Sequence, residues 1–264
     1  MTAGFCYHAP VMIAIPLLFF LLGAITASFI GVVVVRLHTG ESFLSGRSRC
    51  DICGATLPPS ALVPIVSYVL QGRRARCCGA RLSLYSPLTE LLLGGLFVLA
   101  YLKLNLVLAL PFVLLSFAIL LALVLYDLMH QILPPSLLWV FGFSTAVGGF
   151  LTASNIGSFE RTVLVALVLG AVLGLIYFFS HGKAMGFADA PLVFALALLT
   201  GSAALPGFVF TFWVGAVIGI VMLARRPRGS RMGIEVPFAP FLAIGFLLAY
   251  FTQWNPLTIV AVLH

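Results

Sequence analysis

Apolar residues fill this chain in long unbroken runs. They do not recur at the 3.6- or 2-residue spacing of half-buried elements. Eight runs stand out, at residues 11–35, 86–102, 104–126, 133–153, 162–180, 190–205, 207–224 and 236–252. A helix needs about 20 mostly apolar residues to cross the hydrocarbon core, and most of these runs meet that length. The pattern predicts an all-α polytopic membrane protein of about eight transmembrane helices. The sixth run is the shortest, and Gly201 and Pro206 would let it merge with the seventh or stop short of a full crossing. Residues 1–10 hold no Lys or Arg, and no small-residue cleavage site ends the first run, so it is expected to stay as a span. The one long polar insertion, residues 36–85, divides the chain into a first helix (1–35), a cysteine-containing loop domain (36–85) and a multi-helix membrane domain (86–264).

Composition agrees: 62% of the 264 residues are hydrophobic and only 8% are charged, too few to cover a water-facing surface. Charge then sets direction. Seven arginines lie in 36–85, four more (Arg225, Arg226, Arg228, Arg231) in 225–235, and Lys183 lies between spans five and six. Only Lys103 and Arg161 fall in loops of the other face, so the positive-inside rule makes the basic loops cytoplasmic and both termini external. The net charge of +7 therefore implies topology and attraction to anionic membrane lipids, with no call for nucleic acid.

Four of the five cysteines lie in the polar insertion: Cys50 and Cys53 in "RSRCDICG", Cys77 and Cys78 in "RARCCGAR". About fifty residues are too few for an independent core, so a staple is expected. In a reducing compartment metal ligation is the better staple than a disulfide. The first pair is a C-x-x-C knuckle followed by Gly54. The second pair is adjacent, and the position three before Cys78 is Ala75. Tetrahedral zinc held by four cysteines, zinc held by three thiolates and another ligand, and four unligated thiols are the readings open at this point. Cys6 stands apart from them.

Of the seven acids, Glu90, Asp127 and Asp189 lie in or beside spans, where a carboxylate is costly and is by default a functional candidate. Asp127 sits near the end of the third span, facing the negative end of its own helix dipole. Asp189, followed by Ala190 and Pro191, reads equally as an N-cap. The predicted topology puts both at one membrane edge, where two carboxylates sharing a proton could activate water against an amide. No serine nucleophile motif or H-E-x-x-H competes with them. His130, three residues after Asp127, is within reach of a carboxylate.

At these residues the chain resembles the prepilin peptidases, or type IV leader peptidases, of the GxGD membrane aspartyl protease class. The likeness is carried by "ASFIGVVVVRLHTGES", "RSRCDICG", "RCCGARLSLYSPLTELLLGGLF", "YDLMHQILP" with "KAMGFADAPL", and "VPFAPFLAIG". The resemblance implies cleavage of basic leader peptides from prepilin or pseudopilin substrates of type IV pili or type II secretion, at the cytoplasmic face of the bacterial inner membrane. It also implies N-methylation of the new N-terminus from S-adenosylmethionine in bifunctional members. The catalytic pair maps onto Asp127 and Asp189. The cysteine tetrad maps onto Cys50, Cys53 and Cys78, with Ala75 at the remaining position and Cys77 as the nearest replacement ligand. The G-x-G-D signature reads Gly186, Phe187, Ala188, Asp189, and Ala27 and Gly31 stand where Gly and Asn are commoner. Two other readings compete: a catalytically degenerate family member, and a non-enzymatic carrier or assembly scaffold using the two aspartates as an ion site.

Overall fold

The computed structural model describes residues 8–40, 50, 52–56, 58, 64–183, 185–224 and 237–256. Cys6, Glu41, Asp51, Glu235, His264 and the arginines at 47, 49, 225, 226, 228 and 231 lie outside the described residues. The helices are α1 (His8–Thr39), α2 (Val66–Leu70), α3 (Tyr85–Leu104), α4 (Leu110–His130), α5 (Pro135–Thr152), α6 (Ile156–Ser180), α7 (Asp189–Thr200), α8 (Ala204–Ala224) and α9 (Ala239–Thr252). No strand occurs among the described residues, so the all-α membrane fold read from the hydrophobic runs holds. The chain forms two compact units, Met1–Leu110 and Pro111–His264.

In the first unit α1 and α3 pack antiparallel, with Phe19 stacked on Tyr101 at 4.9 Å and Gly23 set against Leu93 and Gly94. A Cβ on Gly23 would come within 2.7 Å of the Leu93 carbonyl oxygen, so only glycine permits this approach. In the second unit a continuous apolar core joins α4, α5, α6, α7 and α9 through residues such as Leu123, Phe141, Leu173, Leu196, Leu242 and Phe246, all at most 1% exposed. Exposed apolar side chains are the rule on the outer helix faces, among them Leu164, Val217 and Ile220. Such all-round hydrophobicity is a membrane span's signature. α6 starts cleanly because Asn155 and Ser158 form a reciprocal capping box, and it ends at His181 in a left-handed conformation.

Among the described residues six apolar stretches are long enough to cross a membrane, the last being Asp189–Met222, and Ala239–Thr252 is a shorter apolar helix. The packing splits that last stretch. Gly149, near the end of α5, touches Leu198, near the end of α7, so α7 runs away from the edge where it begins. Gly207 meets Phe246, Thr211 meets Gly245 and Gly215 meets Phe241, so α8 runs antiparallel to α9. α7 and α9 both begin at the edge that holds the end of α4, so α8 must return to it. The reversal occurs at Gly201, whose φ of +62° and ψ of −125° suit only glycine, followed by a 3-10 turn over Gly201–Ala203. The sixth predicted segment is thus a separate helix of 12 residues, about 18 Å long.

Candidate active site

Asp127 lies in the last turn of α4, one turn before the helix ends at His130. Its side chain is 6% exposed, and its Oδ2 accepts a hydrogen bond from the backbone N–H of Ala239 at 3.2 Å. Ala239 opens α9, with Pro240 beside it to start the helix and no side-chain cap. The orphan N–H and the positive dipole end of α9 therefore face a carboxylate placed unfavourably for its own helix. Sequence reasoning missed this partner, since a backbone donor 112 residues away leaves no side-chain signal. Pro240, inside the "VPFAPFLAIG" block, was the available clue to a helix start.

Asp189 is the first residue of α7 and, like Asp127, 6% exposed. Its side chain does not cap α7. Oδ2 turns back and accepts from the Gly186 N–H at 3.2 Å, which fixes the carboxylate against the Gly186–Asp189 turn. Leu123, Ala190 and Ala239, neighbours of the two acids on α4, α7 and α9, belong to one buried cluster, so both carboxylates lie toward the same end of the second unit. Ala188, the departure from G-x-G-D, takes φ −67° and ψ −15°, an ordinary helical conformation that carries a Cβ without strain. A Cβ at Gly186 would meet Asp189 Oδ2 at 3.7 Å, ordinary contact. His130 packs its ring against Tyr126 at 4.6 Å.

Glu90 has a different setting. It is 4% exposed on α3, and its two oxygens accept from the Ile65 N–H at 2.7 Å and the Ser86 hydroxyl at 3.0 Å. Ile65 has φ +59°, an outlier for a β-branched residue, and Glu90 holds it there. Glu90 is an anchor for the loop before α2.

The cysteines form a second constellation. The Sγ atoms of Cys50, Cys53, Cys77 and Cys78 all lie within 4.8 Å of one another, with 3.9 Å from Cys50 to Cys78 and 3.3 Å from Cys53 to Cys77. Tetrahedral zinc with bonds of about 2.3 Å requires sulfurs about 3.8 Å apart, so the set fits the ion with small adjustments. The two loops that present them are built alike. Cys50 N–H donates to Ala55 O and Gly54 N–H to Cys50 O; Ala75 N–H donates to Ala80 O and Gly79 N–H to Ala75 O. Gly54 and Gly79 occupy the same left-handed position, at φ +71° and +68°. Ala75, 4% exposed, thus stands where Cys50 stands in the first knuckle, and Cys78 where Cys53 stands. The second loop keeps the knuckle's backbone hydrogen bonds with alanine at its first position, and Cys77, inside the loop, lies with its sulfur 3.3 Å from that of Cys53. The N–H groups of Cys53 and Ile52 hold the Cys50 thiol down to about 7, while hydrogen bonds with Cys53 and Cys50 push Cys77 up to about 12.

The family model for the Bacterial Peptidase A24 N-terminal domain matches residues 21–104. A prepilin leader peptidase/N-methyltransferase of Bacillus subtilis is 30% identical over 88% of this chain and 92% of its own length. One from Dickeya chrysanthemi is 31% identical over 89% and 93%, and one from Myxococcus xanthus is 32% identical over 80% of this chain and 64% of its own length. No solved structure matches. With a shared N-terminal domain and relatives alignable over nearly the whole chain, this protein belongs to the prepilin leader peptidase/N-methyltransferase family.

Proposed function

We propose that this protein is a membrane aspartyl endopeptidase that removes basic leader peptides from prepilin or pseudopilin precursors at the cytoplasmic face of the bacterial inner membrane. The observation that carries the reading is that Asp127 and Asp189 are both buried toward one end of the second unit and each accepts a backbone N–H, from Ala239 and from Gly186. Two carboxylates that share one site do not both ionise readily, so in this reading one is charged and the other protonated. The ionised carboxylate takes a proton from water as the water oxygen bonds to the scissile carbonyl carbon. The protonated carboxyl hydrogen-bonds the carbonyl oxygen. Collapse breaks the C–N bond, and the proton taken from water passes to the leaving nitrogen. Fixed donors on both acids keep their geometry without reorganisation during the reaction.

The cytoplasmic placement rests on the arginine-rich loops of the sequence and on the return of α8, which ends at Ala224 on the edge where α9 begins. Residues 36–85 act as a loop domain stapled by zinc on Cys50, Cys53, Cys77 and Cys78; the ion supplies cohesion there. A second activity, N-methylation of the new N-terminus with S-adenosylmethionine as donor, is favoured by the double name of the relatives. Purified protein in anionic nanodiscs, given a synthetic prepilin and methyl-labelled donor, tests both. Cleavage at the leader junction, lost in Asp127→Asn and Asp189→Asn, is the expected result. Absence of cleavage by the wild type, or cutting that survives both variants, overturns the dyad.

A further inference from the structure

The first unit holds a feature that peptide cleavage does not use. A cavity of about 530 Å³ is lined by Gly72, Arg73, Arg74, Arg81, Leu82 and Leu84. Its walls are set by an antiparallel bridge that places Arg74 directly opposite Arg81, reinforced by the Leu82 N–H donating to the Arg73 carbonyl at 2.8 Å. Like charges directly opposite across a bridge repel. Arg73 adds a third charge from a left-handed backbone at φ +64°, its Nε donating to the Tyr68 hydroxyl at 3.1 Å. Among the described residues no carboxylate pairs with any of the three. A pocket lined by three arginines suits an anion with several acceptor oxygens, above all a phosphate.

The residues just before the pocket say which kind of phosphate. Pro64, Ile65 and Val66 line an apolar groove together with Phe20, Leu21, Ala24 and Ile25 of α1. From Ile25, α1 continues 14 residues to Thr39, about 21 Å, so this groove lies deep along the first span. α2 follows with its apolar side chains uncovered: Val66, Val69 and Leu70 are 51%, 68% and 71% exposed. An uncovered apolar turn at this depth, followed within three residues by the arginines, has the grading of a membrane interface: chains beside α2, headgroups beside Arg73. A soluble phosphate would explain the arginines and leave α2 without a reason.

We propose that Arg73, Arg74 and Arg81 bind the phosphodiester of an anionic phospholipid whose acyl chains pass Leu84 and the exposed face of α2. The bound lipid neutralises the Arg74–Arg81 repulsion and seats the loop on the membrane. This inference is independent of the peptidase reading. The test is native mass spectrometry of detergent-purified full-length protein titrated with phosphatidylglycerol or phosphatidylcholine. The wild type should retain one phosphatidylglycerol in preference to phosphatidylcholine. Arg74→Gln and Arg81→Gln should each weaken retention about fivefold, the size expected for one basic side chain at an anionic surface. Arg161→Gln, a basic residue of the second unit, should leave retention unchanged and serves as the reference. Equal retention of the two lipids, or no loss in either variant, overturns the proposal. Displacement of the lipid by millimolar inorganic phosphate would make this a soluble-anion site and overturns it too. If the glutamine variants unfold, Leu70→Gln keeps the charges while removing chain contact; undiminished phosphatidylglycerol retention there counts against the lipid.

Discussion

Two substitutions at Asp127 should separate its chemistry from its structural bond. Asparagine keeps an oxygen where Oδ2 accepts the Ala239 N–H, and Ala239 itself is fully buried. Asp127→Asn should therefore leave the α4–α9 connection intact while removing the group that exchanges protons with water. A positioned acid or base contributes about 10²–10⁴-fold, equivalent to about 3–5 kcal/mol of barrier. Leader cleavage should fall at least a hundredfold with an unchanged melting temperature in detergent. Asp127→Ala removes the acceptor as well and leaves the Ala239 N–H unpaired in a buried place, which costs about 1–3 kcal/mol. It should be equally inactive and also lower the melting temperature measurably. Cleavage rates from single-turnover gels and unfolding curves on the same preparations give both quantities. Asparagine variants with a tenth of wild-type turnover, or asparagine and alanine variants with equal loss of stability, would refute the assignment.

Ala188→Gly, which restores the usual signature, should change kcat/KM less than about twofold, because Ala188 already sits at φ −67° without strain. Purified protein should carry about one zinc by metal analysis, and Cys50→Ser should remove most of it. Cys77→Ser should also lower zinc, and adding Ala75→Cys to that variant should restore it, since the second knuckle keeps its backbone; a failure to restore zinc would count against Cys77 as the displaced fourth ligand. Because zinc and protons compete for the same thiolates, zinc affinity should fall as pH is lowered, checked by metal analysis after dialysis at stepped pH. Glu90→Ala should cost about 1–3 kcal/mol, read as a lower melting temperature in detergent, by releasing the Ile65 N–H and its left-handed backbone.

The hydrophobic runs alone determined that this is an all-helical membrane protein, and seven acids were few enough to single out Asp127 and Asp189. Both readings rest on solvent transfer: lipid tolerates neither uncovered backbone nor stray carboxylates, so the amino acids carry the answer in their chemistry. What they do not carry is contact between distant backbones. The Ala239 donor to Asp127 is 112 residues away, and the return of the chain at Gly201 shows only once Gly149 and Leu198 are seen together. Ala75 and Ala188 make the same point. As letters they read as losses of a thiol and a glycine, and only backbone conformation decided that the first leaves a standing knuckle and the second a relaxed helix start. Glu90 looked like a third functional candidate because an acid within an apolar run is visible in sequence. Its two partners, Ile65 and Ser86, are set by packing, and they turn the same carboxylate into an anchor.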